Sequence, residues 1–369
     1  MTTVNDVIRV MERIAPKNLA FEGDRIGLQV GSRNQPVKRV MVTLDVLESV
    51  VDEAIEKEVD LIIAHHPFIF KPFQEINWDS EKGKIAKKLL THEISVFVAH
   101  TNLDIAKGGV NDLLMEKLGF EHTDVLVETT TEKLYKLVIH VPKDHENELR
   151  NALAEAGAGY IGNYSHCTFN LEGIGTFKPQ EGADPYIGSA NELERVEEYR
   201  MDTIVPESIL DLTIELAKQA HPYEEMAYDV YPLHLKGDPY GLGRIVTMDE
   251  PMTLKELAEQ VKEAYHVPNL RFVGNPNKTI RTIAVIGGDG NKYIAHAKRM
   301  GADVLITGDV YFHTAHDALG MGLAMIDPGH HIEEVMKEGL KDRLKDEDPT
   351  LDIVSSDTIT EPFTFLVNE

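Results

Sequence analysis

The sequence is poor in cysteine and contains no long apolar run. Cys167 is the single cysteine among 369 residues, so an intramolecular disulfide and a cysteine-rich zinc site are both excluded. No apolar stretch approaches the length of a membrane span. The first residues, 1–14, place charged side chains at helical spacing, which is not the pattern of a secretory signal. These absences predict a cytoplasmic protein without a membrane partner.

Basic residues are also in the minority. Lys and Arg number 37 against 62 for Asp and Glu, which gives a formal net charge of −25 at pH 7. A charge of this size repels nucleic acid unless a local basic patch compensates. The densest lysine group, at 82–88, surrounds apolar residues and is typical of a solvated helix face. Nucleic acid is therefore disfavoured as a partner.

Both ends of the chain alternate strand and helix patterns. Near the amino end, apolar β-rich runs occupy 39–44, 61–64 and 94–99, and helical spacing occupies 46–55, 82–90 and 110–118. After residue 237 the same alternation returns, with strands predicted at 281–286, 303–306, 323–326 and 351–354. This order is typical of parallel sheets with helical crossovers. We predict two parallel-sheet α/β halves that form one core.

The middle of the chain has a different order of elements. Strand patterns at 135–141, 165–177, 196–204 and 226–231 enclose helical patterns at 144–156 and 206–220. The order β-α-β-β-α-β is the ferredoxin-like arrangement. We therefore predict a core made of 1–130 plus 237–369, interrupted by a ferredoxin-like α+β insertion at 131–236.

Two adjacent histidines, His65 and His66, follow the apolar run Leu61-Ile62-Ile63-Ala64 and precede Pro67. Proline cannot continue a sheet ladder, so the strand ends at the histidines. In open α/β sheets, ligands bind at the carboxyl ends of strands. Neighbouring strand residues point to opposite faces, which suits two separate ions better than one. The alternative is one buried core histidine beside one exposed loop histidine.

Further polar residues follow other predicted strands. Asp104 comes shortly after the strand at 94–99, and His330 follows the strand at 323–326. Glu334 lies four residues after His330, so a helix there would place the two side chains on one face. A glutamate near a helix start is otherwise explained by the helix dipole. The Gly-rich turn at 287–290 lacks the spacing of a phosphate-binding loop and predicts only a tight turn.

Together, three imidazoles and two carboxylates predict a metal site. The expected ligands are His65, His66, Asp104, His330 and Glu334. Such ligands suit zinc first, and also iron, manganese, cobalt or nickel. Five side chains hold two divalent ions if one carboxylate bridges them, and we assign Glu334 as the bridge because its side chain reaches further. His65 and His66 would then bind different ions.

Several motifs resemble the NIF-three-like dinuclear-metal family, whose members are also labelled type-two homologues of GTP cyclohydrolase. They are LIIAHHPFIF at 61–70, AHTNLDIAKGGVND at 99–112, GLGR at 241–244, TGD at 307–309 and DPGHHIEE at 327–334. The resemblance implies the same five metal ligands and a toroidal homohexamer. The insertion resembles the PII/CutA-like domain of the longer bacterial members. One departure is the early loop, where Gly23-Asp24-Arg25 stands in place of the Trp-Asp-Asn of shorter members.

Two functions are compatible with these features. The first is a metal-dependent hydrolase acting on a nucleotide or phosphoester-type small molecule, with His100 or Asp45 as proton relays and Arg25, Lys107 or Arg244 as contacts for an anionic ligand. The cyclohydrolase label receives no independent support from the residues, because Cys167 alone cannot build a cysteine-containing zinc site. The second is a non-catalytic metal-binding regulator or scaffold that senses a ligand through the PII-like insertion.

Overall fold

The computed structural model describes residues 2–366 and divides them into two compact units. The smaller unit is Thr131–Pro239, and the larger unit comprises the described residues before and after it. The α-helices are α1 (Val4–Ile14), α2 (Glu48–Glu56), α3 (Glu81–Thr91), α4 (Thr101–Ile105), α5 (Val110–Lys117), α6 (Glu146–Glu155), α7 (Leu210–Ala220), α8 (Leu254–Ala264), α9 (Ile294–Arg299), α10 (Phe312–Met321) and α11 (Val335–Glu347).

The strands follow the same chain order. They are β1 (Gly27–Val30), β2 (Arg39–Thr43), β3 (Leu61–Ala64), β4 (Ser95–Val98), β5 (Asp124–Pro142), β6 (Thr168–Phe177), β7 (Glu194–Pro206), β8 (Tyr228–Thr253), β9 (Arg271–Val273), β10 (Thr279–Asp289), β11 (Val304–Gly308), β12 (Ala324–Asp327) and β13 (Asp352–Ser355). Short 3-10 helices also occur, and one of them, His330–Glu334, contains two of the predicted metal ligands.

The first sheet of the larger unit has the order β1-β4-β3-β2-β13. Strands β13, β2, β3 and β4 pair in parallel, and β1 joins the edge antiparallel. The residues of β3 and β4 are fully buried, as expected for a parallel sheet covered on both faces. Strand β13 pairs with β2, so the carboxyl-terminal half of the chain completes the amino-terminal sheet. The predicted α/β class is confirmed.

The second sheet of this unit runs β8-β10-β11-β12-β9. Strands β10, β11 and β12 are parallel, whereas β8 and β9 are antiparallel neighbours at either side. One apolar cluster contains side chains from both sheets, from Val40 and Leu61 to Val304 and Ile326. None of the helices in the described residues is long and apolar enough to span a membrane.

The smaller unit contains the elements β5, α6, β6, β7, α7 and β8 in sequence order, and its strands lie in the order β6-β7-β5-β8. It has its own apolar cluster, which includes Leu137, Leu149 and Met201. Strand β8 is much longer than the strand predicted at 226–231, because it continues as far as Thr253. The Gly-Asp-Pro at 237–239, which indicated a break, lies within this strand.

Candidate metal centre

His65 and His66 continue the chain directly beyond β3. The backbone N–H of His65 donates to the Thr43 carbonyl at 3.1 Å, and that of His66 donates to the Leu44 carbonyl at 2.9 Å. These bonds keep both residues beside the end of β2. The two imidazole rings are tilted by 48° with centroids 5.1 Å apart.

Asp104 comes from the short helix α4, which begins three residues after β4 ends. The side chain is buried, and its Oδ1 lies 3.5 Å from Nε2 of His65. His100 caps the same helix and places its ring 5.2 Å from that of His65, centroid to centroid. The turn after β4 thus brings both side chains to the histidine pair.

The structure corrects one predicted residue, because Glu333 and not Glu334 shares a face with His330. Residues His330–Glu334 form a 3-10 helix, in which three residues complete a turn, so the third residue after His330 aligns with it. The prediction assumed α-helical spacing. Glu334 instead lies 3.2 Å from the Lys337 ammonium group and 3.9 Å from His331 Nε2, outside the cluster.

Glu333 Oε2 is the atom on which the cluster converges. It lies 3.1 Å from Nε2 of His66, 3.1 Å from Nε2 of His330 and 3.8 Å from Nε2 of His65. The ligand atoms form two overlapping groups with metal-binding spacing, one containing His65, Asp104 and Glu333 and the other His66, His330 and Glu333. A third group, of His65, His66 and His100, adjoins them. Glu333 belongs to both carboxylate-containing groups.

The other ring nitrogen of each histidine is held by an oxygen. His65 Nδ1 contacts the Ala99 carbonyl at 2.9 Å, His66 Nδ1 contacts Asp45 Oδ1 at 2.8 Å, and His330 Nδ1 contacts Asp309 Oδ2 at 2.6 Å. Each contact places the proton on Nδ1 and leaves Nε2 facing the cluster. Histidine ligands of metals are oriented in this way.

The surroundings shift the protonation of the cluster in opposite directions. Burial lowers the pKa of His65 to about 3. Burial also opposes the charging of His66, but hydrogen bonds to Asp45 and Glu333 raise its pKa to about 10. The hydrogen bond to Glu333 raises the pKa of His330 to about 9. Burial and the Glu333 carboxylate raise the pKa of Asp104 well above its usual value.

Two buried atoms at the centre have no hydrogen-bond partner in the described residues, His65 Nε2 and Asp104 Oδ1. Leaving such atoms unpaired costs free energy, which proteins ordinarily avoid. Both are metal-ligand atoms, and they face each other at 3.5 Å with Glu333 beside them. A nitrogen and carboxylate-oxygen donor set with this spacing fits a divalent ion of the zinc or first-row transition type.

Residues beyond the predicted ligands complete the centre. Asp24, from the early loop, accepts from His100 Nδ1 at 2.9 Å and from the hydroxyl of Thr101. Asp309 has a left-handed φ of 54° and belongs to the Thr-Gly-Asp segment. A Cβ at Gly288 would lie 2.8 Å from Glu333 Oε1, so the Gly-rich turn at 287–290 lets Glu333 approach. Sequence alone offered no sign of these contacts, because they join distant segments.

The three cationic residues predicted to contact an anionic ligand do not lie together. Arg244 is buried and pairs with both carboxylate oxygens of Asp112, so it is structural. Lys107 lies over the ring of Tyr240, 5.6 Å from its centroid. Arg25 is exposed, and its backbone N–H donates to Asp24.

One side of the centre opens into a cavity of about 850 Å³. His66, His330 and Asp45 line it together with Leu270, Arg271, Phe363 and Phe365. His65 and Asp104 do not line it. The His66 and His330 side of the cluster is therefore the side that a small molecule reaches.

Comparisons with known proteins agree over nearly the whole chain. A model of the Duf34/NIF3 (NGG1p interacting factor 3) family matches residues 2–362. Relatives from Halalkalibacterium halodurans and Bacillus subtilis, both named GTP cyclohydrolase 1 type 2 homolog, are 52% and 53% identical over 364 residues, which is 98% of each chain. The crystal structure of a Bacillus cereus protein related to NIF3 has a TM-score of 0.88 at 50% identity and 99% coverage of both chains. The chain belongs to the Duf34/NIF3 family.

Proposed function

We propose that the chain binds two divalent metal ions in one dinuclear centre and uses them to hydrolyse a nucleotide or phosphoester-type small molecule. The observation that carries this proposal is the position of Glu333 Oε2, 3.1 Å from both His66 Nε2 and His330 Nε2 and 3.8 Å from His65 Nε2. One carboxylate so placed serves two ions. The unpartnered atoms of His65 and Asp104 support the proposal that one of the two ions would be bound by these residues.

In this proposal, His65, Asp104 and Glu333 would hold an inner ion, and His66, His330 and Glu333 would hold an outer ion. Glu333 thus replaces Glu334 as the bridge. The mixture of imidazole and carboxylate favours zinc, with iron, manganese, cobalt and nickel as alternatives. A dinuclear centre of this type supplies Lewis-acid activation of water and of a substrate oxygen.

The protein groups around the centre bind and move protons. Burial opposes ionisation of Asp24, but its hydrogen bonds to His100 and Thr101 lower its pKa, so its carboxylate remains ionised. It therefore holds the His100 proton on Nδ1 and fixes the His100 ring beside His65, as a proton-relay role would require. The adjoining cavity of about 850 Å³ has room for a nucleotide-sized substrate, and its lining combines apolar side chains such as Leu270 and Phe363 with polar ones such as His66 and His330.

The names of the relatives suggest the first compound to assay. Two proteins more than half identical to the chain are named GTP cyclohydrolase 1 type 2 homolog. GTP is therefore the first substrate to test, followed by phosphodiesters and nucleoside phosphates.

The test has two stages on the full chain. Elemental analysis after purification without chelator should give close to two divalent ions per chain. The protein, loaded with zinc, manganese or iron, should then hydrolyse at least one compound faster than a His65→Ala/His66→Ala control. A metal content near zero would refute the dinuclear centre. Full metal content without turnover of any compound would refute the hydrolase.

The second candidate is a non-catalytic metal-binding regulator that senses a ligand through the insertion. The observation that favours it is a separate cavity of about 510 Å³ lined entirely by residues of the smaller unit. We propose 1–130 plus 237–369 as the metal-binding core and 131–236 as a ferredoxin-like, PII/CutA-like insertion. Full metal content, no turnover and ligand binding in the insertion would together favour this function.

Assembly and location stay predictions. The family resemblance implies a toroidal homohexamer, and light scattering on the purified protein tests it directly. A cytoplasmic location is tested by fractionation of the source cells.

A further inference from the structure

The cavity of the smaller unit has aromatic walls and a carboxylate inside it. Phe177 at the end of β6, Tyr186 in the following loop and Tyr223 after α7 line the cavity together with Glu198 of β7. The centroids of Phe177 and Tyr223 are 5.6 Å apart, and those of Tyr186 and Tyr223 are 6.3 Å apart. The three rings therefore form one cluster.

Glu198 is placed in this cavity by a gap in the neighbouring strand. Gly173 faces Glu198 in the register of β6 and β7, and Gly175 lies two residues further along β6 on the same face. A Cβ at Gly175 would lie 2.1 Å from Glu198 Oε2. A side chain at Gly175 would require the carboxylate to move. Glu198 itself is only 6% exposed.

The carboxylate of Glu198 is incompletely paired. The Tyr223 hydroxyl donates to Oε1 at 3.0 Å. Within the described part of the chain, this is the one hydrogen bond that the Glu198 carboxylate accepts. Burial and the Glu198 carboxylate raise the pKa of Tyr223, so the hydroxyl remains a donor. A buried carboxylate ordinarily has a cationic partner or several donors. Oε2 is therefore available to a ligand.

The remaining lining selects for positive charge. Glu224 and Glu225 join Glu198 in the lining, against Lys178 and His140. Aromatic ring faces attract cations, and the effect increases where water is excluded. Anionic ligands such as phosphates are disfavoured by the same charges.

His221 does not provide a metal ligand in this cavity. Its Nδ1 accepts from the Tyr223 backbone N–H at 3.1 Å, and its Nε2 donates to the His140 carbonyl at 2.9 Å. Both ring nitrogens are therefore occupied. The His221-Pro222-Tyr223 turn instead fixes the position of Tyr223 beside Glu198.

We propose that this cavity binds a small organic cation with a flat apolar body, such as an amine or amidine. The charged end would pair with Glu198 Oε2, and the body would lie against Phe177, Tyr186 and Tyr223. A planar amidinium offers two parallel N–H donors to a carboxylate, which is the strongest pairing of this kind. The site is separate from the proposed metal centre and does not depend on it.

The test is isothermal titration of the full chain with benzamidine and with benzamide, its neutral analogue of the same shape. We expect benzamidine to bind and benzamide to bind at least tenfold more weakly. Because a hydrogen bond to a charged group contributes to affinity, Glu198→Gln should weaken benzamidine binding by roughly tenfold or more. The matched control is Glu172→Gln, an exposed glutamate of the neighbouring strand β6 that does not line the cavity.

A second variant keeps the test decisive if Glu198→Gln folds poorly. Tyr223→Phe retains the ring but removes the hydroxyl that competes for Glu198, so benzamidine binding should be unchanged or tighter. A fall of more than threefold in this variant would contradict the proposal. Equal binding of benzamide, unchanged affinity in Glu198→Gln, or displacement of benzamidine by Mg²⁺ would each overturn it.

Discussion

The two halves of the proposed metal centre differ most in their exposure. In the inner half, the side chains of His65 and Glu333 are 1% and 4% exposed, and the Asp104 side chain is buried with them. In the outer half, the side chains of His66 and His330 are 25% and 39% exposed and line the large cavity. Glu333 is common to both halves.

This difference assigns separate tasks to the halves. In the inner half, His65 Nε2 and Asp104 Oδ1 have no hydrogen-bond partner within the described residues, so an ion bound there would contribute to the stability of the core. The outer ligands keep hydrogen bonds to Asp45 and Asp309 and line the cavity, so under the proposed function an ion bound there would contact the substrate.

The largest effect is expected from removing the shared ligand. Glu333→Gln should reduce the metal content from about two ions per chain to well under one, since the carboxylate belongs to both groups. Glu334→Gln is the matched control, because Glu334 pairs with Lys337 on the adjacent face. Elemental analysis of both variants measures the difference. Equal loss of metal in the two variants would contradict the assigned bridge.

The pair Glu333 and Glu334 also shows where sequence reasoning ended. The apolar run stopped by Pro67 and the repeated strand ends predicted that His65, His66, Asp104 and His330 would meet, because parallel strands end at one edge. The choice between adjacent glutamates depended on whether the turn after β12 was α-helical or 3-10. Local sequence does not show that turn's packing, in which His330 lies so close to Gly308 of β11 that a Cβ at Gly308 would be 2.8 Å from His330 Cα.

Local patterns predicted where helices and strands occur, but not which strands pair. Helix α1 was predictable because Thr3 and Asp6 form a capping box ahead of a regular apolar face. Strand β13 was predicted as a strand, but its pairing with β2 was not, since the two are separated by most of the chain. The contact of Asp24 with His100 is likewise set by packing, not by any local pattern.

A smaller effect is expected from variants that damage one half only. Asp104→Asn should lose the inner ion, and His330→Ala should lose the outer ion, so each retains about one ion per chain. In wild type, saturating metal at 100 times its dissociation constant should stabilise the fold by about 2.7 kcal/mol per site. Thermal unfolding with and without metal measures the remaining stabilisation in each variant.

Asp104→Asn should also have an effect of opposite sign in metal-free protein. Burial and the Glu333 carboxylate raise the pKa of Asp104, so at neutral pH its ionised form destabilises the fold. Replacing it with a neutral amide should raise the metal-free melting temperature, while His330→Ala should lower it by removing the ion pair with Glu333. A lower melting temperature in metal-free Asp104→Asn would show that Asp104 stabilises the fold without an ion.

The halves should differ in proton release on metal binding. Near pH 7.5 the outer ligands His66 and His330 are protonated, because their pKa values are raised to about 10 and about 9, whereas His65 is neutral with a pKa of about 3. Binding of the outer ion should release about two protons, since ligating imidazoles are neutral. Titration calorimetry in buffers of different ionisation enthalpy counts them.

The same pKa shifts predict how the metal-free fold depends on pH. The raised pKa values mean that the ion pairs of His66 and His330 stabilise it fully below pH 6.5, and this contribution is lost as the pH rises through 9 to 10. Proton release should vanish over the same interval. Release that stays constant from pH 7 to pH 10 would contradict the assignment of these histidines to the outer ion.

The smallest effect is expected from the oxygens that orient the outer half. Asp45 accepts from His66 Nδ1 at 2.8 Å, and the Thr360 hydroxyl donates to the other Asp45 oxygen at 2.6 Å. Asp45→Asn should weaken outer-ion binding about 10-fold to 100-fold, as is typical for a group that orients a ligating histidine.

Thr360→Val keeps the side-chain shape and acts through Asp45, so its effect should be a few-fold at most. Competition with a chromogenic chelator measures both variants, and an unchanged inner-ion affinity is expected in each. If Thr360→Val weakened the inner ion as much as the outer, the two halves would be energetically one site, and the division by exposure would fail.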